Sequence, residues 1–189
     1  RIMSDPVWLF YLMWLPDYLN RARGFDLKNI MLFAWIPYLA ADAGSLIGGG
    51  ISSAFASLGW PTLKARKAAM CLCAMLMPMA IFAVRAESPI TAMVFISIAT
   101  FGHQSWSASF ITLPADLFPR RIVASAYGLT AMCGFLAGAA FTLYVGRIVD
   151  TIGYVPVFTM VGFMHLIGTA VLVLWIRTPR QSTMTAEII

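Results

Sequence analysis

From Thr100 to Arg121 the chain reads Thr-Phe-Gly-His-Gln-Ser-Trp-Ser-Ala-Ser-Phe-Ile-Thr-Leu-Pro-Ala-Asp-Leu-Phe-Pro-Arg-Arg. His103, Gln104, Ser105, Trp106, Ser107 and Ser109 stand in a run that is otherwise apolar from Ile90 to Phe118, and the run ends abruptly at Asp116, Pro119, Arg120 and Arg121. Polar side chains at such a depth are costly in lipid and usually face a bundle interior, a cavity or a partner. At about 100° per residue, Thr100, His103, Gln104 and Ser107 fall in one arc with Trp106 on its flank. Ser105, Ser109 and Thr112 fall opposite. The first face offers an amide and an imidazole for hydroxyl groups and an indole plane for the C–H face of a ring, which suits a sugar-like ligand. The second offers small hydroxyls suited to helix packing.

The rest of the chain explains why lipid is the reference solvent. Of its 189 residues, 60% are hydrophobic and 11% charged, with a mean hydropathy of +0.82. Soluble domains are nearer half apolar and a quarter charged. The net charge of +5 does not imply nucleic acid, because the basic residues lie singly or in short clusters between apolar runs, as in loops at an anionic membrane surface. Cys71, Cys73 and Cys133 fall inside apolar runs, match no zinc or disulfide spacing, and read as buried, inert thiols. The chain begins with Arg1 and shows no signal-peptide pattern, so it reads as a piece of a longer protein.

A bilayer core of about 30 Å needs roughly 20 apolar residues per helix. Six spans are expected on that ruler: 2–19, 29–58, 68–84, 89–117, 123–148 and 154–176, followed by a polar tail over 177–189. Long apolar runs without strand alternation favour helices over a barrel. Six spans put both ends on one side, with Lys64, Arg66, Lys67, Arg120, Arg121, Arg177 and Arg180 against Arg21, Arg23, Lys28, Arg85 and Arg147 opposite. The excess of basic residues points to cytoplasmic ends and a cytoplasmic tail.

The spans differ in character. The first holds Arg1 and Asp5, spaced to pair on one face beside Trp8, and Pro16, which should end or kink it. The second carries Trp35, Tyr38, Asp42 and Ser45 along one face, and a mid-span carboxylate is a functional hypothesis, by proton uptake or by hydrogen bonding to a polyol. It also has a small-residue ridge, Ala41, Ser45, Gly49 and Ser53, with Gly44 and Gly48 alongside. The third is almost uniformly apolar and reads as a peripheral, lipid-facing helix. The fifth repeats the ridge with Thr130, Gly134, Gly138, Thr142 and Gly146, and the sixth holds a lone His165 that reads as structural. Polar spans one and four, ridged spans two and five, and apolar spans three and six make a three-plus-three repeat. With an odd number of spans per unit the two units must be inverted, the arrangement found within each half of a twelve-span secondary transporter.

Other classes fit less well. No Walker-type Gly-x-x-x-x-Gly-Lys, Gly-x-Ser-x-Gly or His-Glu-x-x-His occurs. An intramembrane hydrolase built on Ser107 and His103 lacks a recognisable oxyanion hole, and an oligomeric channel would need a repeated ring of carbonyls or charges.

Four stretches carry a family resemblance. They are Trp8–Leu19 leading to Arg23-Gly24-Phe25; Ile36–Gly49, with Pro-Tyr-Leu-Ala-Ala-Asp-Ala-Gly-Ser-Leu; His103-Gln104-Ser105-Trp106-Ser107; and Leu113–Arg121, with Leu-Pro-Ala-Asp-Leu-Phe-Pro-Arg-Arg. They resemble spans seven to twelve, the C-terminal half, of a major facilitator superfamily transporter of the anion:cation symporter family, in its hexuronate branch. The resemblance implies an all-α membrane fold of six transmembrane helices and proton-coupled uptake of a sugar acid such as galacturonate or glucuronate across a bacterial inner membrane, with another carboxylate such as galactonate as the alternative substrate. It implies no cofactor and no enzyme activity. The substrate cavity would lie between this half and a missing N-terminal half, which would hold the groups that grip the carboxylate. On this reading His103, Gln104, Trp106 and Ser107 contact the sugar, while Asp5 and Asp42, with Trp8, Tyr11 and Tyr38, line the same cavity.

Overall fold

The computed structural model describes residues 1–176; the predicted tail over 177–189, with Arg177 and Arg180, lies outside the described residues. Those residues form α1 (Asp5–Arg23), α2 (Leu27–Phe33), α3 (Ile36–Ser57), α4 (Thr62–Ala74), α5 (Met79–Ala83), α6 (Pro89–Phe110), α7 (Leu113–Leu117), α8 (Arg120–Ile152) and α9 (Val155–Trp175), and no strand occurs among them.

Each apolar run overlaps a helical rod whose ends differ from it by up to six residues, and three rods are broken where proline removes an N–H and crowds the preceding turn. The second run divides into α2 and α3 just ahead of Pro37, the third into α4 and α5 at Pro78, and the fourth into α6 and α7 ahead of Pro114. Pro16 neither ends nor divides the first rod: α1 continues to Arg23. Gly24 stops it at φ 68°, a conformation that glycine adopts freely. Its N–H reaches the Asn20 carbonyl at 3.1 Å, and the Phe25 N–H reaches that of Leu19 at 3.0 Å.

Four rods among the described residues are long and apolar enough to cross a membrane: Leu27–Ser57, Thr62–Ala83, Arg120–Ile152 and Val155–Trp175. Of the other two long helices, α1 carries Asp5, Asp17, Arg21 and Arg23, and α6 carries His103, Gln104 and several hydroxyls. Leu46, Leu143, Leu174 and Trp175 are each more than three-quarters exposed. Apolar surface on that scale belongs against lipid, with every helical backbone group bonded internally. The molecule is an all-helical membrane protein.

Small residues set the closest approaches. In α3 the buried positions are Pro37, Ala41, Gly44, Gly48 and Ser52. The packing ridge is therefore displaced one position from that expected, and Ser45 and Ser53 face outward. A Cβ on Gly44 would stand 2.3 Å from the Phe101 carbonyl oxygen, and one on Gly48 2.3 Å from that of Ser105. Ser105 Oγ donates to the Gly44 carbonyl at 2.8 Å across this seam. The glycines of α8 do the same for α1: Gly134 meets Asp5, Gly138 meets Leu9 and Gly146 meets Trp14.

The third rod is not peripheral. Met70, Ala74, Met77, Ala80 and Ala83 are wholly buried against neighbouring helices, and only its other side, with Leu72 and Met75, is exposed. Cys73 is buried, but Cys71 is exposed and Cys133 intermediate, so burial holds for one thiol of three. Phe10, Tyr11, Tyr18 and Phe158 form an aromatic core between α1 and α9, with Tyr18 and Phe158 ring centroids 4.8 Å apart.

Charged residues cluster at the two ends of the bundle. At one, Arg66 pairs with Asp116, and Lys67 donates to the last carbonyls of α9, Val173 at 3.2 Å and Ile176. At the other, Arg21 bridges Asp17 at 2.9 Å and Asp150 at 3.1 Å. Asp17, then Asp150, hold this exposed guanidinium above its ordinary pKa range. Also there, Arg23 donates to Tyr18 Oη at 2.6 Å, to the Ala86 carbonyl at 2.6 Å and to that of Ala83, closing the end of the third rod.

Candidate functional site

The polar residues of α1 and α6 meet at one cavity of about 180 Å³, lined by Arg1, Asp5, Trp8, Leu9, His103, Gln104, Ser107, Ile111, Tyr127 and Phe135. Three helices build it. In α6, Ser88 accepts from the Ile90 N–H at 3.2 Å and Pro89 opens the first turn, and the register then brings His103, Gln104 and Ser107 to one wall. In α1, Pro6 starts the helix and sets Asp5 one turn ahead of Trp8 and Leu9. α8 contributes Tyr127 and Phe135, and its Gly134 leaves room for the Asp5 carboxylate.

The centre of the site is an aromatic stack. The Trp8 indole and His103 imidazole lie 5.3 Å apart between centroids and 10° from parallel. Tyr38 meets the same indole edge-on at 6.2 Å, and its hydroxyl donates to the Tyr11 carbonyl at 3.0 Å. Behind His103, His165 crosses its ring at 4.8 Å. Both imidazoles are buried; His103 Nδ1 and both nitrogens of His165 have no partner among the described residues.

Arg1 and Asp5 pair at 3.1 Å, with both side chains mostly buried, and Arg1 also donates to Tyr127 Oη at 2.9 Å. The wall therefore presents an ion pair, a phenol, an imidazole, an amide and a hydroxyl beside an indole face. That set can bind the hydroxyls and apolar ring face of a polyol, together with one anionic group.

Other residues singled out in the sequence lie elsewhere. Trp106 points away from this cavity: its Nε1 donates to Thr169 Oγ1 of α9 at 2.8 Å, its ring stacks on Phe110 at 4.8 Å, and it is buried. Thr100 donates to the Pro37 carbonyl at 2.7 Å and belongs to the α3 seam. Tyr11 is fully buried in the aromatic core. Asp42 is on an exposed face of α3, with no hydrogen bond or ion pair among the described residues. Arg1 and Tyr127 also line the cavity, Arg1 as the partner of Asp5 that its spacing in the sequence suggests. The signal for Arg1 is its spacing to Asp5; that for Tyr127 is its place on α8 a turn and more before Gly134.

Two larger cavities, of about 740 and 660 Å³, are lined mainly by apolar side chains. The first has only Asn29, Ser88 and Ser97 to offer a polar ligand. Volume and chemistry part company here, and chemistry favours the smaller space.

No family model matches the chain. It is 37% identical over 176 residues to the hexuronate transporter of Escherichia coli strain K12, covering 93% of this chain and 40% of that protein. It is 26% identical over 167 residues to the D-galactonate transporter of Escherichia coli O6:H1, covering 88% of this chain and 38% of that protein. Over 141 residues it is 28% identical to the Escherichia coli K12 protein named "Probable galactarate/D-glucarate transporter", covering 75% and 32% respectively. These relatives are named as transporters and not as enzymes. The chain spans about 40% of the length of the hexuronate transporter it matches. This membrane protein is a homologue of the hexuronate, galactonate and galactarate transporters.

Proposed function

We propose that the chain is the C-terminal six-helix half of a proton-coupled symporter that takes up a hexuronate, such as galacturonate, across a bacterial inner membrane, with both ends of this half cytoplasmic. The observation that carries the reading is the convergence of Asp5, Trp8, His103, Gln104 and Ser107 on one cavity in a homologue of sugar-acid transporters. Trp8 stacks on the sugar ring, His103, Gln104 and Ser107 bind its hydroxyls, and Asp5 carries the proton. Tyr38 holds Trp8 from its edge. Trp106 and Tyr11 pack the helices that present these groups. Asp42, on the exposed face of α3, is a second proton-carrying candidate, facing the half that this chain lacks.

A space of about 180 Å³ falls short of the roughly 300–1,000 Å³ of a complete small-molecule pocket. That deficit is expected where one wall belongs to another six helices. The helix contacts also favour a three-plus-three inverted repeat. The ridge of span two packs on span four and the ridge of span five packs on span one, and exchanging the two triplets interchanges these two seams.

Uptake of labelled galacturonate into vesicles by the intact polypeptide tests the reading. Saturable uptake driven by an inward proton gradient is expected. A galactonate symporter, the second reading, would show the same gradient dependence with galactonate as the better substrate. Flux that ignores the gradient would identify a channel.

A further inference from the structure

We propose that Arg1 is the cation that receives the carboxylate of the transported sugar acid, and that Asp5 is its resting counter-ion. The assignment deepens the sugar-acid reading above and rests on it.

A guanidinium presents five N–H donors in a planar fork. In Arg1, Nη1 serves Asp5 Oδ2 at 3.1 Å and Nη2 serves Tyr127 Oη at 2.9 Å, while Nε is buried and has no partner among the described residues. The fork is held from two sides, with its central carbon 5.0 Å from the Tyr127 ring centroid and 5.9 Å from that of Phe110. A held, desolvated guanidinium with a spare donor, on a cavity shared with Trp8, His103, Gln104 and Ser107, is suited to a carboxylate, which accepts two parallel N–H bonds.

Arg1 is the one Lys or Arg lining this cavity among the described residues. Arg21, Arg23, Arg66 and Lys67 are committed at the ends of the bundle.

The pair also gives a rule of exchange. When Asp5 takes up a proton it becomes neutral and releases Arg1, and the incoming carboxylate replaces it. The charge within the cavity is then the same before and after, so one proton accompanies one anion. The charged and titratable groups around the exchange are Arg1 just ahead of α1, Asp5 on α1, His103 on α6, Tyr127 and Cys133 on α8 and His165 on α9.

The test is calorimetric binding of galacturonate and of its neutral methyl ester to the intact polypeptide carrying this segment. The natural sequence should prefer the acid at least tenfold. Arg1→Gln should abolish that preference by weakening the acid alone, and Arg1→Lys should restore part of it. Because Arg1→Gln leaves Asp5 unpaired, the double variant Arg1→Gln/Asp5→Asn, which holds no lone charge, serves as the folding control and should also lack the preference. Asp5→Asn should bind the acid at least as well as the natural sequence, without its pH dependence. An acid preference kept in Arg1→Gln or in the double variant overturns the assignment and leaves the sugar-acid reading standing. A natural sequence that binds neither compound overturns both.

Discussion

The Trp8 indole and the His103 imidazole stack 10° from parallel with centroids 5.3 Å apart, so the first and fourth rods share one aromatic surface. A stacked pair of this kind contributes about 0.5–1.5 kcal/mol beyond the area it buries. In the proposed function the same indole also faces the sugar. Trp8→Leu should therefore lower affinity for galacturonate about tenfold while lowering thermal stability only modestly. Fluorescence titration and thermal unfolding of the detergent-solubilised protein measure the two effects. A loss of stability with unchanged affinity would make the stack purely structural.

The α3–α6 seam makes a sharper stability prediction. A methyl group on Gly44 or Gly48 meets backbone, which cannot rotate away. Gly44→Ala and Gly48→Ala should each destabilise by about 1–3 kcal/mol, the usual range for overpacking, or prevent folding. Gly49→Ala and Gly50→Ala, which add a Cβ with nothing within 4 Å inside a helix, should stabilise by up to about 1 kcal/mol. Thermal unfolding of the four variants checks the contrast.

Gly134 predicts a different pattern. A Cβ there would stand 2.2 Å from Asp5 Oδ2, 2.8 Å from its Cγ and 3.1 Å from the Arg1 Cβ, side-chain atoms that can shift where backbone cannot, so the ion pair cannot stay as it is. Gly134→Ala should depress proton-driven uptake at least tenfold and leave the unfolding temperature within a few degrees. Uptake at the natural rate would show that the geometry of the Arg1–Asp5 pair is not used in transport.

The two clusters at the ends of the bundle give a topological prediction. Lys64, beside the Arg66–Asp116 pair, and Asp150, beside Arg21, belong to opposite ends. A cysteine at position 150, where the Asp150 side chain is 69% exposed, should react with a membrane-impermeant maleimide added to whole cells. One at position 64 should react only after permeabilisation. The reverse pattern would invert the orientation given by the basic residues.

How much of this was legible in the sequence follows from how far each signal reaches along the chain. The apolar runs are legible because twenty apolar residues is a local property, but the breaks at Pro37, Pro78 and Pro114 are not, since proline alone does not decide a break: Pro16 sits inside the unbroken α1. The glycine ridges are legible as ridges. Their partners are not, because the backbone of Ser105 that fills the notch at Gly48 lies far along the chain, and this is why the α3 ridge shifts by one position. Trp106 illustrates the limit. It sits among His103, Gln104 and Ser107 in sequence, but its hydrogen-bond partner is Thr169, which no local period reveals. For Arg1 the pairing with Asp5 is legible as a four-residue spacing, whereas the hydrogen bond to Tyr127, 126 residues away, is not.

The most direct test of the central claim is uptake of labelled galacturonate into proteoliposomes holding this 189-residue chain, alone and joined to the remainder of the Escherichia coli hexuronate transporter. Saturable, proton-gradient-driven uptake is expected of the joined protein and none of the chain alone. Saturable uptake by the chain alone, or flux through the joined protein that ignores the gradient, would contradict it.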